Sequence, residues 1–201
     1  TDVTVQPKGT AYIDPKADDI ELKDVYYPPN YDFTGLTKLS GNDGNQHATW
    51  TADGNGNGKI DATTKRTPSG SSVHFDDTTT NESAHVDMLG DNMLPAGDYT
   101  MYAWVKTENV VKQNAAAGDQ GARIGVVQWK ADNASKDWST EKYCRSVAGT
   151  NDWTLMSFDF TVAADKGAMR LSIRFNNASG KVWFTDVTVQ PKGTAYIDPK
   201  A

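Results

Sequence analysis

The sequence predicts an all-β protein built as a sandwich or barrel. Apolar and polar residues alternate with period two in most of its hydrophobic segments. Turn clusters such as Pro95-Ala96-Gly97-Asp98, Ala148-Gly149-Thr150-Asn151 and Asn177-Ala178-Ser179-Gly180 separate those segments. Helical periodicity is scarce. The one alanine-rich stretch, Gln113 to Ala117, runs straight into Gly118-Asp119 and is too short to stand as a helix.

Taken in order, Val3 and Val5 alternate about Thr4, and Ile20 to Val25 alternates apolar with polar. In Tyr99 to Lys106, Tyr99, Met101, Ala103 and Val105 face one way and Tyr102 and Trp104 the other. Arg123 to Trp129 is apolar on both faces. Trp153 to Val162 sets Thr154, Met156, Phe158, Phe160 and Val162 against Trp153, Leu155, Ser157, Asp159 and Thr161. Met169, Leu171, Ile173 and Phe175 share a face opposite Arg170, Ser172 and Arg174, and Val182 to Val189 closes the series.

That closing segment begins a duplication. Thr1 to Ala17 returns unchanged as Thr185 to Ala201, 184 residues later. Long-period identity marks a repeat array. On this reading residues 1–17 are the last strand and linker of a preceding identical repeat. Residues 18–201 are one repeat ending in the same strand and linker. The other reading is a single module with a duplicated tail.

A repeat of this size is long enough to bury a substantial core. The 37% hydrophobic and 10% aromatic content argue against disorder despite a mean hydropathy of −0.62. A net charge of −6 gives no reason to expect nucleic-acid binding. No apolar run approaches the roughly 18 residues of a membrane helix, so membrane insertion is not expected. The lone Cys144 allows no disulfide within the chain and reads as a small buried residue. An acidic, Thr-, Asn- and Gly-rich chain of this kind suits an extracellular or cell-surface location.

The segment order resembles the jelly-roll modules of the carbohydrate-binding type 4/9 group, which share a galactose-binding-like fold and occur in bacterial wall-associated repeat proteins. Trp50 follows a long first loop, and Ser69-Gly70-Ser71-Ser72-Val73 resembles an early strand of that group. Leu94 to Thr100 with Ala103 to Thr107 resembles its aromatic hairpin, Trp153-Thr154 opens a matching strand, and Gly180 to Val189 resembles its closing strand. The match runs from about Trp50 to Val189. It implies a two-sheet antiparallel β-sandwich, a jelly roll, with a terminal strand beside the first. A family member opens with an Asn-rich strand carrying a Phe-Glu pair; here Tyr31-Asp32-Phe33-Thr34 stands in that place.

Asp53-Gly54-Asn55-Gly56-Asn57-Gly58-Lys59-Ile60-Asp61 resembles a calcium loop of the EF-hand or dockerin kind. The side chains of Asp53, Asn55, Asn57 and Asp61, with the Lys59 carbonyl, could converge on a hard cation. Position twelve is Thr64, with no bidentate carboxylate, and the competing reading is a plain Asn-Gly turn. The family resemblance implies a second calcium position at Asp186, copied as Asp2.

Trp104, Trp129, Trp138 and Tyr143 are candidates for stacking on sugar rings, with Arg123, Gln128 and Asp137 as polar partners; the competing reading is that these aromatics are core. Trp138 is the first choice for exposure. His47, His74 and His85 form no HExxH and no GxSxG occurs, so catalysis is not expected. Asn81, Asn133 and Asn177 begin sequons. Two functions follow. One is a calcium-assisted structural repeat of a filament, stalk or adhesin. In it Thr1, Asp2, Val3, Thr4 and Val5 form an assembly strand joining copies head to tail. The other is a carbohydrate-binding module whose tandem copies gain avidity for a polysaccharide.

Overall fold

The structure, a computed structural model, describes residues 25–36, 39, 50–54, 58–79, 83–90, 94–131 and 135–201. Ten strands follow one another: β1 (Trp50–Gly54), β2 (Lys59–Asp61), β3 (Ser72–Asp77), β4 (Ser83–Gly90), β5 (Gly97–Lys112), β6 (Gly121–Lys130), β7 (Lys136–Tyr143), β8 (Gly149–Val162), β9 (Lys166–Asn176) and β10 (Ala178–Pro191). They form two five-stranded sheets, in the orders β1-β4-β9-β6-β7 and β2-β3-β10-β5-β8. Every strand pair is antiparallel. No helix occurs among the described residues. This is the two-sheet jelly roll that the alternation and the resemblance predict.

The inward faces carry the core. Met101, Ala103 and Val105 of β5, Leu171, Ile173 and Phe175 of β9, and Val73, Phe75, Val86, Ile124, Val182 and Phe184 of the neighbouring strands belong to one buried core. Met156, Phe160 and Val162 of β8 are buried as their alternation requires. The Cys144 thiol lies in the same core, accepts the Ile124 N–H at 3.2 Å, and is pushed up in pKa by burial.

Tyr31-Asp32-Phe33-Thr34 forms turns beside the closing strand rather than a strand of its own. Beyond Phe184, where the β3 pairing ends, residues 26–31 run along β10. Tyr26 and Val189 exchange backbone hydrogen bonds, and Val187 N–H donates to the Tyr31 carbonyl at 2.9 Å. Phe33, fully buried, packs on Trp50 with ring centroids 5.1 Å apart. The candidate strand at Val3 to Val5 and most of Ile20 to Val25 lie outside the described residues.

The segment after β10, expected to be a linker, lies against its own module. Gln190 clamps Ile197 through both side-chain atoms, at 3.1 and 3.4 Å. Trp104 Nε1–H donates to the Tyr196 hydroxyl at 3.0 Å, and the Tyr196 ring sits 4.7 Å from Tyr102. Asp198 accepts a two-pronged bond from Arg66, and Lys200 pairs with Asp32. The outward aromatics of β5 are therefore covered by the chain's own tail.

Candidate functional site

The two outward sheet faces differ in what covers them. On the β2-β3-β10-β5-β8 sheet, Trp104 lies under Tyr196 and the Arg66 guanidinium, which stands 4.6 Å from its ring. Trp183 stacks on His74 at 4.7 Å and donates to Asp61 at 2.9 Å, while Trp153 donates to the Lys65 carbonyl. Trp104 is thereby removed from the group of sugar-stacking candidates; it belongs to the other sheet from Trp129, Trp138 and Tyr143.

The β1-β4-β9-β6-β7 sheet presents a polar, arginine-rich outer face. Alternation in β9 puts Arg170, Ser172 and Arg174 on the side of the sheet away from the core, where Arg170 and Ser172 are enclosed at 6% and 2% exposure and Arg174 is half-buried. Register then sets His85 and Arg123 beside Arg174, Asp87 and Gly125 beside Ser172, and Val127 beside Arg170. Across the next pairing Gly125 faces Tyr143. A Cβ at Gly125 would lie 2.0 Å from the Tyr143 ring and 2.8 Å from the Lys142 carbonyl. Glycine here lets the ring lie down against the strand.

The Arg123 and Arg174 guanidinium carbons stand 4.2 and 4.7 Å from the Tyr143 ring centre, within cation–π range. The Tyr143 hydroxyl donates to Glu141 at 2.6 Å. Burial and that bond push its pKa well above the ordinary phenol value. Asp87 forms the floor, bound by Arg170 at 3.0 Å, His85 at 3.3 Å and the Ser172 hydroxyl. Burial alone would raise the Asp87 carboxyl, but the bonds to His85, Arg170 and Ser172 outweigh it and hold the group below its ordinary range. Ser172 donates to the carboxylate and not to an imidazole base, so this trio does not activate a nucleophile.

At one end of the face β7 bulges. Val126 pairs with Lys142 but Gln128 pairs with Asp137, so residues 138–141 loop out opposite Val127. The bulge throws Trp138 outward, 59% exposed. Lys136 Nζ stands 5.2 Å from the Trp129 ring and 5.1 Å from the Trp138 ring. Asp137 braces the bulge through Ser139 and an ion pair of 2.8 Å with Lys166, which hold its carboxyl down at about 2.

Of the predicted sugar contacts, Arg123, Trp129 and Tyr143 share this face, and Trp138 stands at its edge. Gln128 does not join them. It is 3% exposed and its amide donates inward to the Thr161 carbonyl of β8, tying the two sheets together. Arg170, Arg174, His85, Asp87 and Glu141 were not among the predicted site residues. The signal for two of them was present, since Met169 to Phe175 already places Arg170 and Arg174 on one side.

The proposed calcium loop is divided between the sheets. Asp53 lies in β1 and pairs in register with His85, whereas Lys59 and Asp61 lie in β2. Asn55 and Asn57 fall outside the described residues. Asp61 is committed: Oδ1 accepts from Thr63 N–H, the Thr63 hydroxyl and Thr64 N–H, and Oδ2 accepts from Trp183.

Asp186 sits in a bulge of β10 at φ 52°, 2% exposed, with its Oδ2 2.5 Å from Arg66 Nε. Burial raises the Asp186 carboxyl and Arg66 only partly offsets this. No three acidic, His or Cys side chains converge as a metal site among the described residues. The positive charge opposite Asp186 is a side chain of the same polypeptide, so Asp186 as placed here does not fit a calcium ion. Asp186→Ala is accordingly expected to respond to millimolar calcium and to excess chelator as the parent does, read by melting temperature. A rise with calcium, abolished by Asp186→Ala, would reverse that assignment.

Thr1, Asp2, Val3, Thr4 and Val5 lie outside the described residues. Their copy, Thr185 to Val189, is fully enclosed in β10.

No protein-family model and no curated protein matches the sequence. Solved structures do match. A carbohydrate-binding module of family 4 superposes with a TM-score of 0.55 at 15% identity, over 83% of this chain and all of that one. The CBM22-1 and GH10 modules of Clostridium thermocellum xylanase 10B, complexed with xylohexaose, match at 0.50 and 16%, over 82% of this chain and 28% of that one. A xylan-binding domain of family 22 matches at 0.50 and 12%, over 81% and 97%. The chain carries the galactose-binding-like jelly-roll fold of these carbohydrate-binding modules.

Proposed function

We propose that this chain is a non-catalytic, polysaccharide-binding module of an extracellular or cell-surface protein, its ligand lying across the outer face of the β1-β4-β9-β6-β7 sheet. The observation that carries this reading is the cluster of Tyr143 with Arg123 and Arg174. The guanidinium groups over that ring supply fixed donors and the aromatic side chains beside them apolar surface, the two elements that orient a sugar. Trp129 and Trp138 extend it toward the β7 edge. Along β6, Gly125 and Trp129 are four residues apart, about 13 Å of strand, room for more than one sugar ring. The fold supports the reading, since the solved structures that share it include a xylan-binding domain and a xylohexaose complex.

Affinity electrophoresis and calorimetry against soluble xylans, glucans, galactans and uronate polymers test it. At least one polymer is expected to bind. Tyr143→Ala is expected to lower that affinity at least tenfold, about 1.4 kcal/mol. Trp138→Ala is expected to lower it less, because its exposed ring lies at the margin. Absence of binding across all four polymer classes would overturn the proposal.

The structural-repeat reading draws on a separate observation, the 17-residue identity between the two ends of the chain. The two readings are compatible. Modules in series raise avidity for a repeating polymer when the spacing lets two sites engage together.

A further inference from the structure

We infer that the ligand is an acidic polysaccharide, one bearing uronic-acid carboxylates, held by Arg123 and Arg174 beside the Tyr143 ring. This rests on the glycan-binding reading above and names its substrate class. The first support is charge. Among the described side chains of the face, Arg123, Arg170 and Arg174 stand against Asp87 and Glu141, a local excess of positive charge on a chain whose net charge is −6.

The second support is pairing. Asp87 is taken by Arg170 at 3.0 Å, whereas Glu141 stands 3.9 Å from Arg174 and already accepts from Tyr143. No described carboxylate forms an ion pair with Arg123; the Tyr143 ring and a second arginine stand against it, and the Asp119 charge reaches it without a hydrogen bond. The Nε atoms of Arg123, Arg170 and Arg174 are all buried without an acceptor. Like charges directly opposite each other weaken a sheet, and an unmade bond to a buried donor costs about 1–3 kcal/mol. The contacts with the Tyr143 ring offset part of that cost, and an anion at the terminal guanidinium N–H groups would neutralise the facing charges.

The shape of the anion follows from the donors. A guanidinium offers parallel N–H groups that match a carboxylate in two-pronged fashion. Arg123 and Arg174 are cross-strand neighbours over one aromatic ring, so a carboxylate lying beside that cluster would be within reach of either. Lys136 between Trp129 and Trp138 repeats the pairing of cation and aromatic at the β7 edge. The rest of the chain argues against simple attraction of polyanions, since a net negative protein repels them.

The test compares polygalacturonate, alginate and glucuronoxylan with their carboxyl-reduced counterparts, using the full chain. At least one uronate polymer is expected to bind at least tenfold more tightly than its reduced form, with affinity falling as salt rises. Arg123→Ala is expected to erase that preference at an unchanged melting temperature, and Arg123→Lys to keep part of it. Equal affinity for charged and reduced polymers would overturn this inference while leaving the glycan-binding reading intact. Binding to dextran sulfate but to no uronate would overturn the choice of carboxylate. Binding to no polymer, acidic or neutral, would overturn both.

Discussion

Replacing Arg66 by alanine is expected to cost the module about 3–5 kcal/mol, the range for removing one partner of a buried ion pair. Arg66 holds Asp186 through Nε at 2.5 Å and Asp198 through both terminal nitrogens, while its guanidinium covers Trp104. Without it, Asp186 remains in the β10 bulge at 2% exposure with its cation gone. For a domain of this size the loss corresponds to a melting temperature lower by roughly 6–20 °C. Calorimetric melting of Arg66→Ala beside Arg66→Lys checks it. Lysine restores the charge but not the two-sided fork, and is expected to recover only part of the loss. A melting temperature within 2 °C of the parent, roughly the shift for 1 kcal/mol or less, would show that the pair contributes little.

The same variant carries a pH signature. The Asp186 carboxyl is raised in the folded protein, chiefly by burial. A raised folded pKa means the folded state binds the proton more tightly, so its contribution is fully present below the ordinary carboxylate range. It is lost as pH climbs through the folded value. Removing Arg66 widens that window, because burial then acts unopposed by its partner. The deficit of Arg66→Ala should therefore be largest near neutrality and shrink in acid, where the orphaned carboxyl takes up a proton.

Much of the fold was legible because its central strands are long and two-faced. β5, β8 and β9 alternate over many residues, with Met101, Met156, Phe160, Leu171 and Ile173 buried as read, whereas β10 is buried on both faces from Val182 to Gln190. The edge strands were harder. β2 is three residues long, and β7 bulges over residues 138–141, so neither keeps a period long enough to detect. The candidate site was half legible. Aromatic residues pointed to Tyr143, Trp129 and Trp138, but nothing local distinguishes Trp104, whose cover comes from Tyr196, far along the chain. Arg170 and Arg174 read only as one face of a strand; the register that sets Arg174 beside Arg123 and near Tyr143 is not visible in the sequence. Gln128 misled because the run from Val126 to Gln128 gives no sign of which residue turns inward. The tail misled most. Its Pro, Gly and Lys content reads as a linker, whereas Tyr196, Asp198 and Lys200 find partners more than ninety residues away.

That tail yields the largest expected effect. A chain ending at Pro191 loses Tyr196 from Trp104 and Tyr102, Asp198 from Arg66, and Lys200 from Asp32, itself buried. Stranding Asp32 without its cation and exposing two aromatics should together cost at least about 4 kcal/mol. The sequence adds a condition. Residues 8–17 repeat 192–201 letter for letter, so Tyr12, Asp14 and Lys16 match Tyr196, Asp198 and Lys200. A vacated acceptor could take this leading copy, from the same molecule or from a neighbour. Removing residues 192–201 alone should therefore cost less than removing 1–17 as well. Rescue by a neighbour would make the melting temperature rise with protein concentration. Added Lys192–Ala201 peptide should restore stability to the doubly shortened chain. A doubly shortened chain as stable as the parent would show that the tail does not hold the module together. Equal losses with and without residues 1–17 would show that the leading copy does not substitute. A concentration-dependent rescue would give the duplicated segment a physical role, an exchangeable clasp through which one copy closes the surface of the next.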